Sequence, residues 1–260
     1  MTTQLIRHIL LFFIILIIYS CTQKKQQPLF RISDGKNFGF IDTSGKIVIK
    51  PALSDVRDFN DGLALSYLNS ADSTYGFIDE TGKYVIAPNL IANTYPLALY
   101  IGSFQESSEE QKGYNAISEF SFSDGLALYF DPKREKYGYM DIQGEIVIEP
   151  KFFNATKFKN GYAKVMTSND TINWENRHVG LINKKGEFVI PDKYFNVSHI
   201  SGNFLTATIC TKQDTDWGYT NIVLNKTGRL INTVKIEGAA FFTKIFQMAM
   251  YVVTIFLIRL

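Results

Sequence analysis

Three aspartates, Asp42, Asp79 and Asp141, each stand three residues before a glycine and just after an aromatic-Gly-aromatic run. Recurring carboxylates invite a reading as general acids or bases. Their recurrence argues for a different task. A catalytic group is needed once, whereas a turn group is needed in every copy of a repeated unit. Asn183 and Asn225 take the same place, and an amide caps a turn as a carboxylate does but cannot exchange a proton. Calcium is excluded by ligand count, because each turn offers one carboxylate and calcium takes six or more oxygens. His178 and His199 lie apart. Asp170 and Glu175 near His178 sit in a stretch rich in Asn and Thr, which reads as loop polarity rather than a metal set. Cys210, in the strand-like Ala207-Thr208-Ile209-Cys210, reads as a buried small hydrophobe rather than a nucleophile. No Ser-His-Asp order stands out. The expectation is no catalytic residue, no metal and no cofactor.

The elements that carry these residues repeat. Phe38-Gly39-Phe40-Ile41-Asp42-Thr43-Ser44-Gly45-Lys46-Ile47-Val48-Ile49-Lys50-Pro51 returns as Tyr75 to Pro88 and as Tyr137 to Pro150. Within one unit, Phe38 to Asp42 predicts a short strand with aromatics on one face. Asp42 opens a turn through its carboxylate, and Gly45 closes it in the left-handed region. Ile47-Val48-Ile49 predicts the return strand, ended by Pro51, which lacks a ladder donor. Phe59-Asn60-Asp61-Gly62 then opens a third strand, Leu63 to Tyr67, matched by Phe122 to Leu128 and Phe158 to Val165. Each unit is thus a meander of about three strands. The strands are apolar on both faces, which predicts burial between units as well as within them. The turn residues of the array are Asp42 and Gly45, Asp79 and Gly82, Asp141 and Gly144, and Asn183 and Gly186.

This motif resembles the WG-repeat family, built from copies of aromatic-Gly-aromatic-Ile-Asp-x-x-Gly-Lys-x-Val-Ile-x-Pro. The resemblance covers roughly residues 36 to 231. A fourth copy runs from Val179-Gly180-Leu181 to Pro191. A fifth starts at Trp217-Gly218-Tyr219 and reaches Asn225 to Ile231, with extra residues before its turn and no closing Pro. The resemblance implies an all-β tandem array of about five β-meander units, curved into a solenoid or propeller-like. It supplies no catalytic residues and implies an interaction scaffold.

The organisation follows. Residues 1–20 read as an export signal: Arg7 and His8 precede a run of ten apolar residues, Ile9 to Ile18. Ile18-Tyr19-Ser20-Cys21 resembles a bacterial lipobox, which implies a lipid on Cys21; a signal anchor or an ordinary signal peptide is the alternative. Residues 21–35 carry the lipidated Cys and a polar tether. Residues 36–235 hold the array, with an insertion at about 89–121. The insertion contains Tyr95, Tyr100, Phe104 and Tyr114 as candidate binding residues. Insertions in arrays often bind, although long loops are also tolerated at little cost. Residues 236–260 form an apolar tail, with three readings. Its uniform apolarity favours a membrane helix. Its strand formers Tyr251 to Ile258 suit a closing element, and it can also stand outside the ancestral array.

Composition narrows the function. A net charge of +2 with scattered acids and bases gives no basic stripe for nucleic acid. Two cysteines give neither a disulfide framework nor zinc spacing. Aromatic content of 14% suits short strands that need large side chains. The expectation is a non-enzymatic repeat protein of the bacterial envelope, facing the periplasm. It binds unknown protein partners as a scaffold or, alternatively, glycan through exposed aromatics. A hydrolase site between units is the remotest reading. The membrane partner is reached through Cys21, and through the tail if the tail inserts.

Overall fold

The computed structural model describes residues 28–69, 74–91, 120–168, 178–198, 200–213 and 216–236. They form eighteen strands in five antiparallel sheets. Sheet one holds β1 (Phe30–Ser33), β2 (Phe38–Ile41) and β3 (Ile47–Leu53). Sheet two holds β4 (Asp55–Val56), β5 (Ala64–Asn69), β6 (Thr74–Ile78) and β7 (Tyr84–Ile91). Sheet three holds β8 (Leu126–Asp131), β9 (Lys136–Asp141) and β10 (Ile146–Phe152). Sheet four holds β11 (Asn154–Ala155), β12 (Tyr162–Met166), β13 (Val179–Asn183) and β14 (Phe188–Tyr194). Sheet five holds β15 (Asn196–Val197), β16 (Phe204–Gln213), β17 (Asp216–Asn225) and β18 (Leu230–Ile236). Strand order follows the sequence in every sheet, so each is a meander. The strand after each Asp-Gly turn pairs with the next motif copy, as in Leu65 opposite Phe77. The array starts earlier than residue 36, because β1 pairs with β2 inside the segment read as tether.

Two kinds of turn recur, each dictated by its residues. In the motif hairpin, Asp79 Oδ1 accepts from the Thr81 hydroxyl (2.6 Å), the Thr81 N–H (2.8 Å) and the Lys83 N–H (3.1 Å). Gly82 donates to the Asp79 carbonyl at 2.9 Å from a φ of +84°, where a side chain would be strained. Asn183 and Asn225 accept the same pair of backbone bonds through Oδ1. In the second turn Asp61 and Gly62 both have positive φ, and Asn60 and Leu63 exchange both backbone bonds. This is the type I′ geometry that Asp-Gly favours.

Pro51 does not end its strand, contrary to the sequence expectation. β3 continues to Leu53, and the other return strands likewise run past Pro88, Pro150 and Pro191. The register gives the reason. Phe40 pairs with Ile49 but Phe38 pairs with Leu53, so β3 carries two extra residues opposite Gly39. The same bulge lies opposite Gly76, Gly138 and Gly180. Proline fits there because a bulged residue needs no ladder N–H. Glycine fits because the bulge folds back over it. A Cβ on Gly76 would lie 2.5 Å from the Ile86 carbonyl oxygen and 2.7 Å from the Pro88 nitrogen.

The fifth unit lacks both halves of this device. Counting back from its turn places Ile222, not Gly218, at the position of the motif glycine. Val223 pairs with Asn232 and Ile222 with Thr233, without the two-residue bulge. Trp217-Gly218-Tyr219 lies farther out on a longer hairpin, paired with Lys212, Thr211 and Cys210. Turn geometry, rather than the Trp-Gly pair, marks the true register.

The core runs through and between the sheets. One cluster joins sheets two, three and four, and others join one to two and four to five. In the first three units the motif aromatic meets the aromatic before the following Asp-Gly or Asn-Gly turn. Phe40 meets Phe59 at 4.7 Å between ring centroids, Phe77 meets Phe122 at 4.6 Å and Tyr139 meets Phe158 at 4.8 Å, all edge to face. Leu181 and Ile200 take these places in the fourth copy and are buried together.

Candidate interaction surface

No group of three or more His, Cys, Asp or Glu side chains converges among the described residues. His178 is exposed at the start of β13. Cys210 lies in β16 as expected, but half-buried rather than in the core, because this strand reaches beyond the packed part of its sheet. The most perturbed groups are structural: burial pushes the Tyr75 and Tyr137 hydroxyls well above the ordinary tyrosine range. Desolvation lowers the Lys136 amine, which stands 3.4 Å from the Phe153 ring centroid. A cavity of about 20 Å³ lies among Asn154, Thr156, Lys164, Met166 and Asn196. That is room for roughly one water, not a substrate.

The turn aspartates act within their turns. The Thr81 hydroxyl holds the Asp79 carboxyl below the ordinary aspartate range, and the Ser44 hydroxyl does the same for Asp42. A carboxyl depressed in the folded chain contributes stability above its unfolded pKa and loses that contribution as pH falls through the folded value. Asp79→Asn keeps the turn, since Asn183 and Asn225 build the same one, but gives up the charged carboxylate's contribution, so the neutral-pH melting temperature falls slightly. The substitution flattens the fall in stability as pH drops below about 3.8. Thermal melts from pH 6 to pH 2 check this.

What the units hold outward is apolar. Ile47 and Val48, Tyr84 and Val85, Ile146 and Val147, Phe188, and Leu230 and Ile231 are exposed at 39 to 55%. All occupy the first two positions of the return strand, which is the edge strand of its sheet. The expectation of burial on both faces fails here for a specific reason. Ile41 pairs with Ile47 and Phe40 with Ile49, so Val48 is a one-residue bulge beside the turn. The bulge breaks the inward-outward alternation and leaves two neighbouring apolar side chains in water. The triple apolar run after the turn is the sequence signal in the first four units, since only one of the three, Ile49, Ile86, Ile148 or Ile190, reaches the core.

That inward residue sets the stacking. A Cβ on Gly82 would lie 3.3 Å from Ile49 Cγ2, so the turn of the second unit rests on the return strand of the first. Gly144 rests on Ile86, Gly186 on Ile148 and Gly228 on Ile190 at 3.1 to 3.3 Å by the same measure. Carboxylates add rungs at two steps: the Gly125 N–H donates to Asp61 at 2.7 Å and the Gly161 N–H to Asp124 at 2.6 Å. The step that spans the insertion, Ile86 to Gly144, matches the others. The array therefore stacks the same way across it. The insertion's flanks join the core, with Phe120 and Phe122 buried against Tyr75 and Phe77.

Asp42 and Gly45, Asp79 and Gly82, Asp141 and Gly144, and Asn183 and Gly186 lie one pair in each of the first four motif hairpins, the glycine N–H donating to the carbonyl of its partner. Tyr95, Tyr100, Phe104 and Tyr114 lie outside the described residues, as do Cys21, the signal segment and 237–260. No helix among the described residues is long and apolar enough to cross a membrane.

A family model described as WG containing repeat matches residues 38–65, 75–90, 137–169 and 180–207. These are the four units with the glycine-proline bulge, and the bulge-free fifth hairpin is not matched. No curated protein matches the chain. Among solved structures, one described as a crystal structure of the eukaryotic initiation factor matches at 7% identity and a TM-score of 0.38. It covers 80% of this chain and 51% of its own, so the chain spans about half its length.

Proposed function

We propose that this array, four of whose units match the WG containing repeat, is a non-enzymatic interaction scaffold tethered in the bacterial cell envelope. Its rim of return-strand edges receives an extended, apolar-sided segment of a partner protein. The observation that carries the reading is the exposed apolar pair after the turn, which recurs along an array with no convergent titratable group among the described residues. Regularly exposed apolar side chains mark interaction sites, and edge strands pair naturally with extended segments. The tether reading rests on the apolar run of residues 9–18 and the small residue before Cys21.

The test is in-cell cross-linking of the tagged full-length chain, beside a Val85→Lys and Val147→Lys variant. Both valines are about half exposed, so stability stays within roughly 0.5 kcal/mol. The expected result is reproducible capture of one or a few proteins, reduced about tenfold or more in the variant. Peptide mapping of that material shows an acylated Cys21 at the N-terminus. Capture unchanged by the two lysines removes the rim from the account. A mature chain that retains residues 1–20 removes the lipid tether.

A further inference from the structure

We propose that Asn160-Gly161 is a site of spontaneous backbone modification, deamidation to aspartate and isoaspartate, and that Asp124 of the preceding unit holds it in check. It is the one Asn-Gly pair in the sequence. Glycine after asparagine leaves the side-chain amide open to attack by the following backbone nitrogen, because no Cβ stands in the way. Asn160 is exposed to water in its turn. In the reaction the Gly161 nitrogen bonds to Asn160 Cγ and loses its proton to solvent, while the Cγ–Nδ2 bond breaks and ammonia leaves. Water then opens the cyclic imide at either carbonyl, so one water is consumed for each ammonia released. The isoaspartate product carries an extra backbone carbon. That does not suit a two-residue turn whose flanks, Lys159 and Tyr162, exchange both backbone bonds.

Two features of the folded array oppose the first step. Asn160 and Gly161 have φ values of 55° and 83°, the type I′ pair. In that turn the next nitrogen points away from the asparagine side chain, and attack needs the Asn160 backbone to rotate until the nitrogen eclipses Cβ. The second feature holds the nitrogen itself. The Gly161 N–H donates to Asp124 Oδ2 at 2.6 Å, in a partly buried contact between units. A hydrogen bond to a carboxylate at this distance is among the strong ones. The rotation that brings the nitrogen to Cγ carries its N–H off the carboxylate, so this bond must break before the ring can close. The two partners belong to different sheets, Asp124 standing just before β8 of sheet three and Gly161 just before β12 of sheet four. Conversion of Asn160 therefore records whether these two units are stacked.

The experiment incubates the full-length chain at mildly alkaline pH and maps its peptides by mass spectrometry for aspartate and isoaspartate at position 160. Beside it run the same chain unfolded in urea and the variants Asp124→Gly, Asp124→Asn and Asp61→Gly, with circular dichroism to check folding. Glycine suits both aspartate positions, since Gly202 takes the same place at a φ of +60° where Asp61 and Asp124 have 50° and 57°. The wild type is expected to convert far more slowly than the unfolded chain. Asp124→Gly is expected to convert about tenfold faster than the wild type or more, the factor that loss of one hydrogen bond to a charged group gives. Asp124→Asn keeps an uncharged acceptor and is expected to fall between the two, which carries the test if the glycine variant does not fold. Asp61→Gly removes the same kind of bond one unit earlier, from the Gly125 N–H, and is expected to leave the rate at Asn160 near that of the wild type. Asp124 variants that convert no faster than the wild type overturn the proposal, because the turn alone then sets the pace. Slower conversion overturns it as well, the carboxylate then serving as a base for the attack. Equal acceleration by Asp61→Gly overturns it as a general loosening of the array. A folded wild type that converts as fast as the unfolded chain shows that nothing holds the site in check.

Discussion

Gly138→Ala is expected to destabilise the array by about 3 kcal/mol, the upper end of what overpacking typically costs. A Cβ there would lie 2.8 Å from the Pro150 nitrogen and closer still to the Ile148 carbonyl oxygen. Both obstacles are backbone, held by the bulge, so no rotamer change relieves them. The bulge itself must open, which pulls Ile148 from the seat of Gly186 and loosens the next unit. Gly144→Ala is a useful contrast. Its Cβ would meet only the Ile86 side chain at 3.3 Å, although its φ of +84° still strains an alanine. In the fifth hairpin the same position holds Ile222, buried and unobstructed, and Ile222→Gly should destabilise rather than relieve. Urea denaturation of the three variants measures all of this. A Gly138→Ala loss below about 0.5 kcal/mol would mean the bulge yields freely, and the pairing of glycine with proline would need another cause.

This coupling also explains how far the sequence could be read. Asp42 and Gly45 announce their hairpin because a turn is local: one side chain and one positive φ settle it within four residues. Phe59 and Phe122 could be recognised as recurring, but not as partners of Phe40 and Phe77, since ring pairing is set by register. Proline lacks a donor, which makes Pro51 a stop in a flat ladder. The two-residue bulge changes its meaning, and a bulge depends on the strand opposite. The same limit hid the exposed rim, because Ile47 and Val48 look like core until Val48 is known to be bulged. Trp217-Gly218 misled in the other direction, matching the family pattern in letters while Ile222 holds its place in space.

Tyr139→Ala should cost more than Gly138→Ala, about 3 to 5 kcal/mol. The ring is fully buried between sheets three and four and stands edge to face with Phe158. Removing it leaves a cavity walled by two units rather than one, so neither sheet can collapse into it alone. The hydroxyl adds a separable share. It donates to the Thr156 carbonyl at 2.8 Å, and Thr156 in turn exchanges backbone and side-chain bonds with Lys164. Tyr139→Phe should therefore cost roughly 1 to 2 kcal/mol, keeping the packing while orphaning a buried carbonyl. Tyr75→Phe should cost less, since its hydroxyl meets the Leu128 carbonyl only at 3.4 Å. The order Tyr139→Ala, Tyr139→Phe, Tyr75→Phe is the informative result in denaturant melts. If Tyr139→Phe is neutral, the inter-sheet tie rests on ring packing alone. If Tyr139→Ala costs no more than the phenylalanine variant, the units stack through their turn glycines and isoleucines, and the aromatic series is filler between them.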